Sequence, residues 1–412
     1  MGKYEPVSLV RCDSYEYNVV RKALFESLSL IDGLSFVKPG MKVGIKTNLV
    51  SGMAPEKAAT THPVLLKVLS EMLLEKGATV VIGDSPGGLY TQNYVRGIYK
   101  ACGLLELESY FADADNISEG PKVTLNSDFS IKNTAYPEAV SLKTFSYTGW
   151  IDEVDALINF SKLKTHAMMG MSCAVKNMFG TIPGATKPEY HMRFPEEIAF
   201  ANLMVDLNEF FKPVLYVVDA IDGMEGNGPT AGEKRHIGAV IASKRPYALD
   251  MACAELIGMG INDCATLGVA FERGLGPKAV DEVEVMGSLP LSEAKIADFK
   301  RATIHQSITF AGNSVFSKAY SATLKLVCTT KPLVKKNECI GCKKCYETCP
   351  AKAITMVKGA NKTGADGQLP SIDRSKCIKC FCCQEFCPVG AMKVHHNPLG
   401  KVLNKLNRQR LT

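Results

Sequence analysis

Cys339-Ile-Gly-Cys342-Lys-Lys-Cys345-Tyr-Glu-Thr-Cys349-Pro350 and Cys377-Ile-Lys-Cys380-Phe-Cys-Cys383-Gln-Glu-Phe-Cys387-Pro388 are two copies of one pattern, C-x2-C-x2-C-x3-C-P, near the end of a 412-residue chain. Thiolates are soft ligands that favour iron-sulfur clusters or zinc, and three cysteines at two-residue intervals on a tight loop can grip three corners of a cube. A zinc ribbon needs only two C-x2-C pairs, which would leave the third cysteine and the Cys-Pro ending of each copy without a role. Eight of the fifteen cysteines fall into these arrays and no export signal precedes them, so they read as metal ligands rather than disulfide partners. Cys12, Cys102, Cys173, Cys253, Cys264, Cys328 and Cys382 are scattered, and thiols in such number imply a reducing compartment.

Residues 330–395 resemble a bacterial-type two-cluster ferredoxin, with both prolines and all eight ligand positions matching. The resemblance implies two 4Fe-4S clusters, electron transfer, and a donor or acceptor protein as partner. In such ferredoxins the fourth cysteine of each run ligates the other cluster. It therefore implies Cys339, Cys342, Cys345 and Cys387 around one cluster, and Cys377, Cys380, Cys383 and Cys349 around the other. Two features depart from the compact pattern: KGANKTGADGQ (358–368) reads as an added surface loop, and Cys382 as a packing residue. The module is expected to be all loop.

Working outward, the dense Cys, Gly, Pro and Lys texture begins around residues 328–337, and the chain before it alternates strand and helix signals. VSLVRC (7–12) opens as a strand, Tyr17 to Leu30 as a helix, and MKVGIKTNL (41–49) as a second strand. Pro63 begins a helix through Lys76 that Gly77 ends, and ATVVIGDSPGG (78–88) is a buried strand running into a glycine loop. The alternation restarts with VDALINFSKLKTH (154–166) as strand and loop, then a helix from Pro195 to Phe210. Strands VLYVVDAID (214–222) and HIGAVIAS (236–243), the helix ALDMACAELIG (248–258) and the irregular strand AVDEVEVMG (279–287) follow. The expectation is an α/β protein with lobes at 1–155 and 156–328, a cluster module at 329–395 and a basic tail at 396–412. One large sheet in place of two lobes fits the same pattern.

Candidate chemistry lies in loops at strand ends, where α/β sheets place ligands. The stretch from Asn159 to Gly180 holds Lys162, Lys164, His166 and Lys176 among small residues, a pattern suited to a carboxylate or phosphate. Lys164, His166 and Lys176 are the catalytic candidates. Lys46, Asn48, Lys162, Asp84, Ser85, Gly87, Asn177, Asp219 and Asp222 are the ligand-binding ones. The glycine loop Gly83-Asp84-Ser85-Pro86-Gly87-Gly88 lacks both the Walker and the dinucleotide spacing, so neither a nucleotide nor a flavin or nicotinamide is indicated. His62, before Pro63, could face the same cleft.

At KTNL (46–49), THP (61–63), GDSPGG (83–88), INFSKLKTH (158–166), CAVKNMFG (173–180), VVDAIDGMEGNGP (217–229) and ALDMACAELIG, the chain resembles domain-of-unknown-function family 362, often fused to a ferredoxin module. The resemblance covers most of residues 1–260 and brings no settled reaction with it. A looser similarity to the nickel-dependent lactate racemase fold implies two α/β lobes around an anion-binding cleft.

A hydrophobic share of 46%, a charged share of 22% and a net charge of +6 describe an ordinary globular chain. The tail charges Lys401, Lys405, Arg408 and Arg410 lack interleaved aromatics, so nucleic-acid binding is not expected. No apolar run approaches the roughly 18 residues that span a bilayer, and the start has no signal-peptide pattern, so a cytoplasmic protein is expected. The leading function is an anaerobic-type iron-sulfur oxidoreductase acting on an anionic substrate or cofactor in the α/β body. A non-catalytic electron carrier or assembly subunit, and a non-redox ligand-binding or isomerising enzyme with the ferredoxin as sensor, are the alternatives.

Overall fold

The computed structural model describes residues 4–114, 122–194, 196–302, 331–364, 366–378 and 380–395. The basic tail and Cys328 lie outside the described residues. Strands β1 (Val7–Arg11), β2 (Lys42–Lys46), β3 (Thr79–Gly83) and β4 (Val123–Leu125) come from the first expected lobe, beside a separate β5–β6 hairpin (Ile131–Ala135, Thr144–Thr148). From the second come β7 (Ala156–His166), β8 (Gly170–Ser172), β9 (Leu215–Glu225), β10 (Glu233–Ser243) and β11 (Val285–Met286). Apart from the hairpin they form one nine-stranded sheet, order β11-β1-β10-β9-β7-β2-β3-β4, with β8 paired to the end of β7. The α/β class is as expected. The two stretches expected as lobes share this sheet because β2 and β7 pair directly in parallel, Val43 opposite Ala156 and Lys46 opposite Asn159.

Helices cover both faces. Val20 and Leu24 of α1 (Tyr17–Leu30), Leu65 and Leu69 of α2 (Pro63–Glu75), and Val95 of α3 (Gln92–Ala101) pack on Val43, Ile45, Val80, Ile158 and Phe160. On the opposite face, Phe200 and Leu203 of α7 (Glu197–Phe211) pack near Leu157, and Leu249 and Leu256 of α8 (Pro246–Leu256) near Val218 and Ile241. With both faces covered, all eleven residues of β7 are buried, its polar Asn159, Lys162 and Lys164 included. The chain leaves β2 through α2 on one face and leaves β7 towards α7 on the other. The helix layers therefore part at the carboxyl ends of β2 and β7, the place where open α/β sheets form a crevice.

Four local expectations change. Strand β7 runs on through His166 where a loop was expected, because Lys164, Thr165 and His166 pair with Ser172, Met171 and Gly170. The stretch 279–287 yields only the two-residue β11, since Val280–Glu282 winds into a 3-10 turn. The helix expected from Pro195 starts at Glu197. The cluster module is not all loop: β12 (Lys331–Val334) pairs with β15 (Met392–His395), and β13 (Ile354–Lys358) with β14 (Gln368–Ile372). The 358–368 stretch is the turn of that second ribbon, closed by Lys358 opposite Gln368.

Candidate functional site

The crevice holds a polar cavity of about 40 Å³ lined by Lys46, Asn48, Asp84, Ser85, Lys176, Asn177 and Lys187, with Phe179, Pro229 and Phe386 as apolar wall. That is room for a few water-sized groups. Lys46 arrives at the end of β2 and Asp84 just after β3, so the parallel register brings them together: Lys46 Nζ lies 2.7 Å from Asp84 Oδ1, both nearly fully buried. Lys46 also donates to Thr47 O at 2.7 Å and Asn177 Oδ1 at 2.9 Å. Asp84 Oδ2 accepts from Leu49 N at 2.8 Å. Gly180 lies against this pair, and a Cβ there would overlap both Asp84 Oδ1 and the Lys46 side chain.

Asparagines brace the lysines. Asn48 Nδ2 donates to Asn177 Oδ1 at 2.9 Å, Asn177 Nδ2 to Asn159 Oδ1 at 2.7 Å, and Lys164 Nζ to Asn48 Oδ1 at 2.9 Å. Asn177 and Lys176 ride on the short helix α5 (Ala174–Asn177), whose first N–H groups are held by Asp250 at 2.8 and 3.0 Å. Across the cavity, Ser85 Oγ accepts from Gly184 N at 2.8 Å, and Lys187 Nζ donates to Ser85 O. Burial pulls the Lys46 ammonium below its usual pKa, and Asp84 pulls the other way. Three lysines and one carboxylate line the cavity, a set of groups suited to a small anion.

Other expected residues lie elsewhere. Lys162 Nζ pairs with Asp219 Oδ2 at 2.8 Å and donates to Tyr15 OH at 2.8 Å, while Tyr15 stacks on His62 with ring centres 3.7 Å apart. Asp222 pairs with His236 at 2.8 Å; burial pushes its carboxyl up, but the His236 and Lys234 contacts outweigh that and leave it lowered. His166 Nδ1 accepts from Met168 N and Met169 N, both at 3.1 Å, and so shapes the turn after β7. Lys164 does not line the cavity but donates to Asn48, which does. Ser172, Phe179, Lys187, Pro229 and Phe386 were not singled out from sequence. A lysine before Pro188 and a phenylalanine inside a cysteine array carry no signal of where they point.

The cysteines gather around two cavities. Cys339, Cys342, Cys345 and Cys387 line one, and Cys349, Cys377, Cys380 and Cys383 the other, each with apolar neighbours such as Val334 and Met392 or Ile354 and Ile372. Among the described residues Cys382 lines neither and is fully buried. Ala353 N and Ala391 N point at Cys349 Sγ and Cys387 Sγ, both at 3.2 Å. Burial, then Cys387, Cys342 and Cys339, push the Cys345 thiol up to about 12, the crowding that a cationic metal core relieves. Four thiols around each cavity fit one 4Fe-4S cluster apiece.

The module docks on the mouth of the crevice. Phe386 covers Gly87, Gln384 Nε2 donates to Asn227 O at 2.8 Å, Thr230 Oγ1 donates to Gln384 O at 3.2 Å, and Phe381 packs on Ala167. Lys344 Nζ reaches Tyr94 OH at 3.4 Å, and that hydroxyl donates to Gly87 O at 3.1 Å.

Residues 43–255 match the family model described as domain of unknown function (DUF362), and residues 338–391 match the 4Fe-4S dicluster domain. A thylakoid-associated protein of Synechocystis sp. is 30% identical over 67% of this chain and 81% of its own length. Among solved structures, the lactate racemase apoprotein of Thermoanaerobacterium thermosaccharolyticum is similar at 12% identity and a TM-score of 0.37, over 61% of this chain and 57% of that one. Among the described residues no helix is long and apolar enough to cross a membrane.

Proposed function

Because the chain belongs to the DUF362 family and its dicluster domain binds two 4Fe-4S clusters, we propose that it is an iron-sulfur oxidoreductase whose substrate or cofactor is a small anion held in the crevice. The clusters supply or accept one electron at a time. Lys46, Lys176 and Lys187 hold the anion by charge, and Asn48 and Asn177 fix the position of the Lys46 ammonium. The Lys46–Asp84 pair can hold and release a proton at Lys46 Nζ, as reduction of an anion requires. Phe386 excludes water from the side facing the module.

One observation carries this reading: Phe386, the neighbour of Cys387, is itself a wall of the cavity that Lys46 lines. The crevice therefore opens directly onto the cluster loops. The assignment of Cys339, Cys342, Cys345 and Cys387 to one cluster, and of Cys377, Cys380, Cys383 and Cys349 to the other, belongs to the same proposal. So does a reducing, cytoplasmic setting with a separate protein as electron donor or acceptor.

The test is an anaerobic titration of the dithionite-reduced full chain with phosphate, carbonate and small carboxylates, followed by the electron paramagnetic resonance of the clusters. At least one anion is expected to perturb the signals, and Lys46→Met and Lys187→Met to abolish the effect. Signals indifferent to every anion would sink the reading and favour a carrier or assembly role.

A further inference from the structure

The charge of this chain is unevenly distributed. Between residues 331 and 395 there are twelve Lys and Arg against five Asp and Glu, a surplus of seven, while the whole chain has a surplus of six. Counting Lys, Arg, Asp and Glu alone, the module's surplus exceeds the net charge of the whole chain, and everything outside it sums to −1. Some of the module's acids are already matched: Glu338 lies 3.1 Å from both Lys335 and Lys393, and Asp373 lies 3.7 Å from Lys376.

The surplus has a focus. Cys342 is exposed while Cys339, Cys345 and Cys387 beside it are buried, so the cavity they share comes nearest to solvent at Cys342. Lys343 follows it and is exposed. Lys336 and Lys362, also exposed, are tied to the same loop through the backbone: Cys339 N donates to Lys336 O at 3.3 Å, and Lys362 N to Cys339 O at 2.9 Å. Among the described residues none of these three lysines makes an ion pair. Val389 lines the same cavity, is 39% exposed, and supplies a small apolar spot beside the charges. Phe386 and Gln384 meet the body, and so does Lys344 through Tyr94, while Lys343 beside it stays exposed.

We propose that the surface around Cys342, with Lys336, Lys343 and Lys362 as its charged ring, is the docking face for a small one-electron carrier protein with an acidic face. Electron-transfer encounters use small interfaces, for which charge complementarity sets orientation and association rate. A basic ring selects an acidic partner by that rule. The inference rests on the module's electron-transfer role and not on the anion crevice, so failure of the anion titration would leave it standing.

The experiment measures binding of the anaerobic full chain to three probes, an acidic flavodoxin, an acidic plant-type ferredoxin and a basic cytochrome c, alongside mixed phosphatidylglycerol–phosphatidylcholine vesicles. The expected result is binding to the acidic carriers, weakened about tenfold or more as salt shortens the screening length to a few ångströms. The combined Lys336→Glu, Lys343→Glu, Lys362→Glu variant should weaken it about tenfold or more, and Lys22→Glu on α1 should leave it unchanged. Iron content and the visible spectrum establish that the variant keeps its clusters; should it lose them, the single Lys343→Gln and Lys362→Gln variants take its place. Failure of both acidic carriers to bind, equal binding of the cytochrome, or an unchanged affinity in the variants would overturn the proposal. Vesicle binding that the lysine variants abolish while carrier binding stays intact would overturn it in favour of a lipid surface.

Discussion

The ring of Phe386 occupies the space that a side chain at Gly87 would need. A Cβ at position 87 would fall inside the van der Waals envelope of that ring, so body and module meet here through a glycine. Gly87→Ala should therefore loosen the module at a cost of about 1–3 kcal/mol, typical of overpacking. Limited proteolysis should cut faster within residues 331–395, and adding Phe386→Ala should restore resistance. Unchanged cleavage in Gly87→Ala would show that the two surfaces do not touch.

Lys46 and Asp84 are both buried, so removing one leaves the other's charge without a partner. Lys46→Met should destabilise the body by about 3–5 kcal/mol in anaerobic guanidinium unfolding. Adding Asp84→Asn should recover part of that loss, because the amide oxygen can still accept from Leu49 N.

Asp250 is fully buried beneath α5, and burial pushes its carboxyl from 3.8 up to about 7 despite the N–H groups of Ala174 and Val175. The folded chain thus takes up this proton near neutrality, whereas the unfolded chain takes it up only near the usual value. Stability from this group is present at low pH and falls as pH rises towards the folded pKa, by up to roughly 1.4 kcal/mol per unit. Comparing unfolding midpoints of the wild type and Asp250→Asn between about pH 5 and about pH 7 should show the gap moving in the variant's favour as pH rises. A gap that does not move would mean the carboxyl titrates normally.

Cys382 and Cys383 are neighbours in sequence, but of the two Cys383 alone lines one of the cysteine-walled cavities. Cys382→Ala should retain about eight irons per chain, whereas Cys383→Ala should lose about half of them. Iron and acid-labile sulfide analysis after anaerobic purification distinguishes the two.

The cysteine arrays were legible because their information is local: ligand type and spacing are written within a dozen residues. The α/β alternation was legible for a similar reason, since glycine and proline punctuate its strands and helices. Lys46, Asp84 and Asn177 could be singled out one at a time as polar residues at strand ends, but nothing local says that β2, β3 and α5 bring them together. Lys162 and Lys164 show the limit. They are two residues apart on one strand, yet a register shift between them against β9 accompanies their divergence, one pairing with Asp219 and the other reaching Asn48. Phe386 was out of reach for a different reason, because its role depends on how the module sits against the body.

That dependence bears on how far the module can be treated as a portable cassette. The cavity around Lys46 has one of its walls at Phe386, more than two hundred residues beyond Lys176, and the contacts of Gln384 with Asn227 and Thr230 set where that wall stands. A graft of a foreign ferredoxin could keep all eight ligand cysteines and still leave the crevice open on one side. Swapping modules between relatives should therefore respect the residues between the cysteines as well as the cysteines, since part of the crevice is encoded there.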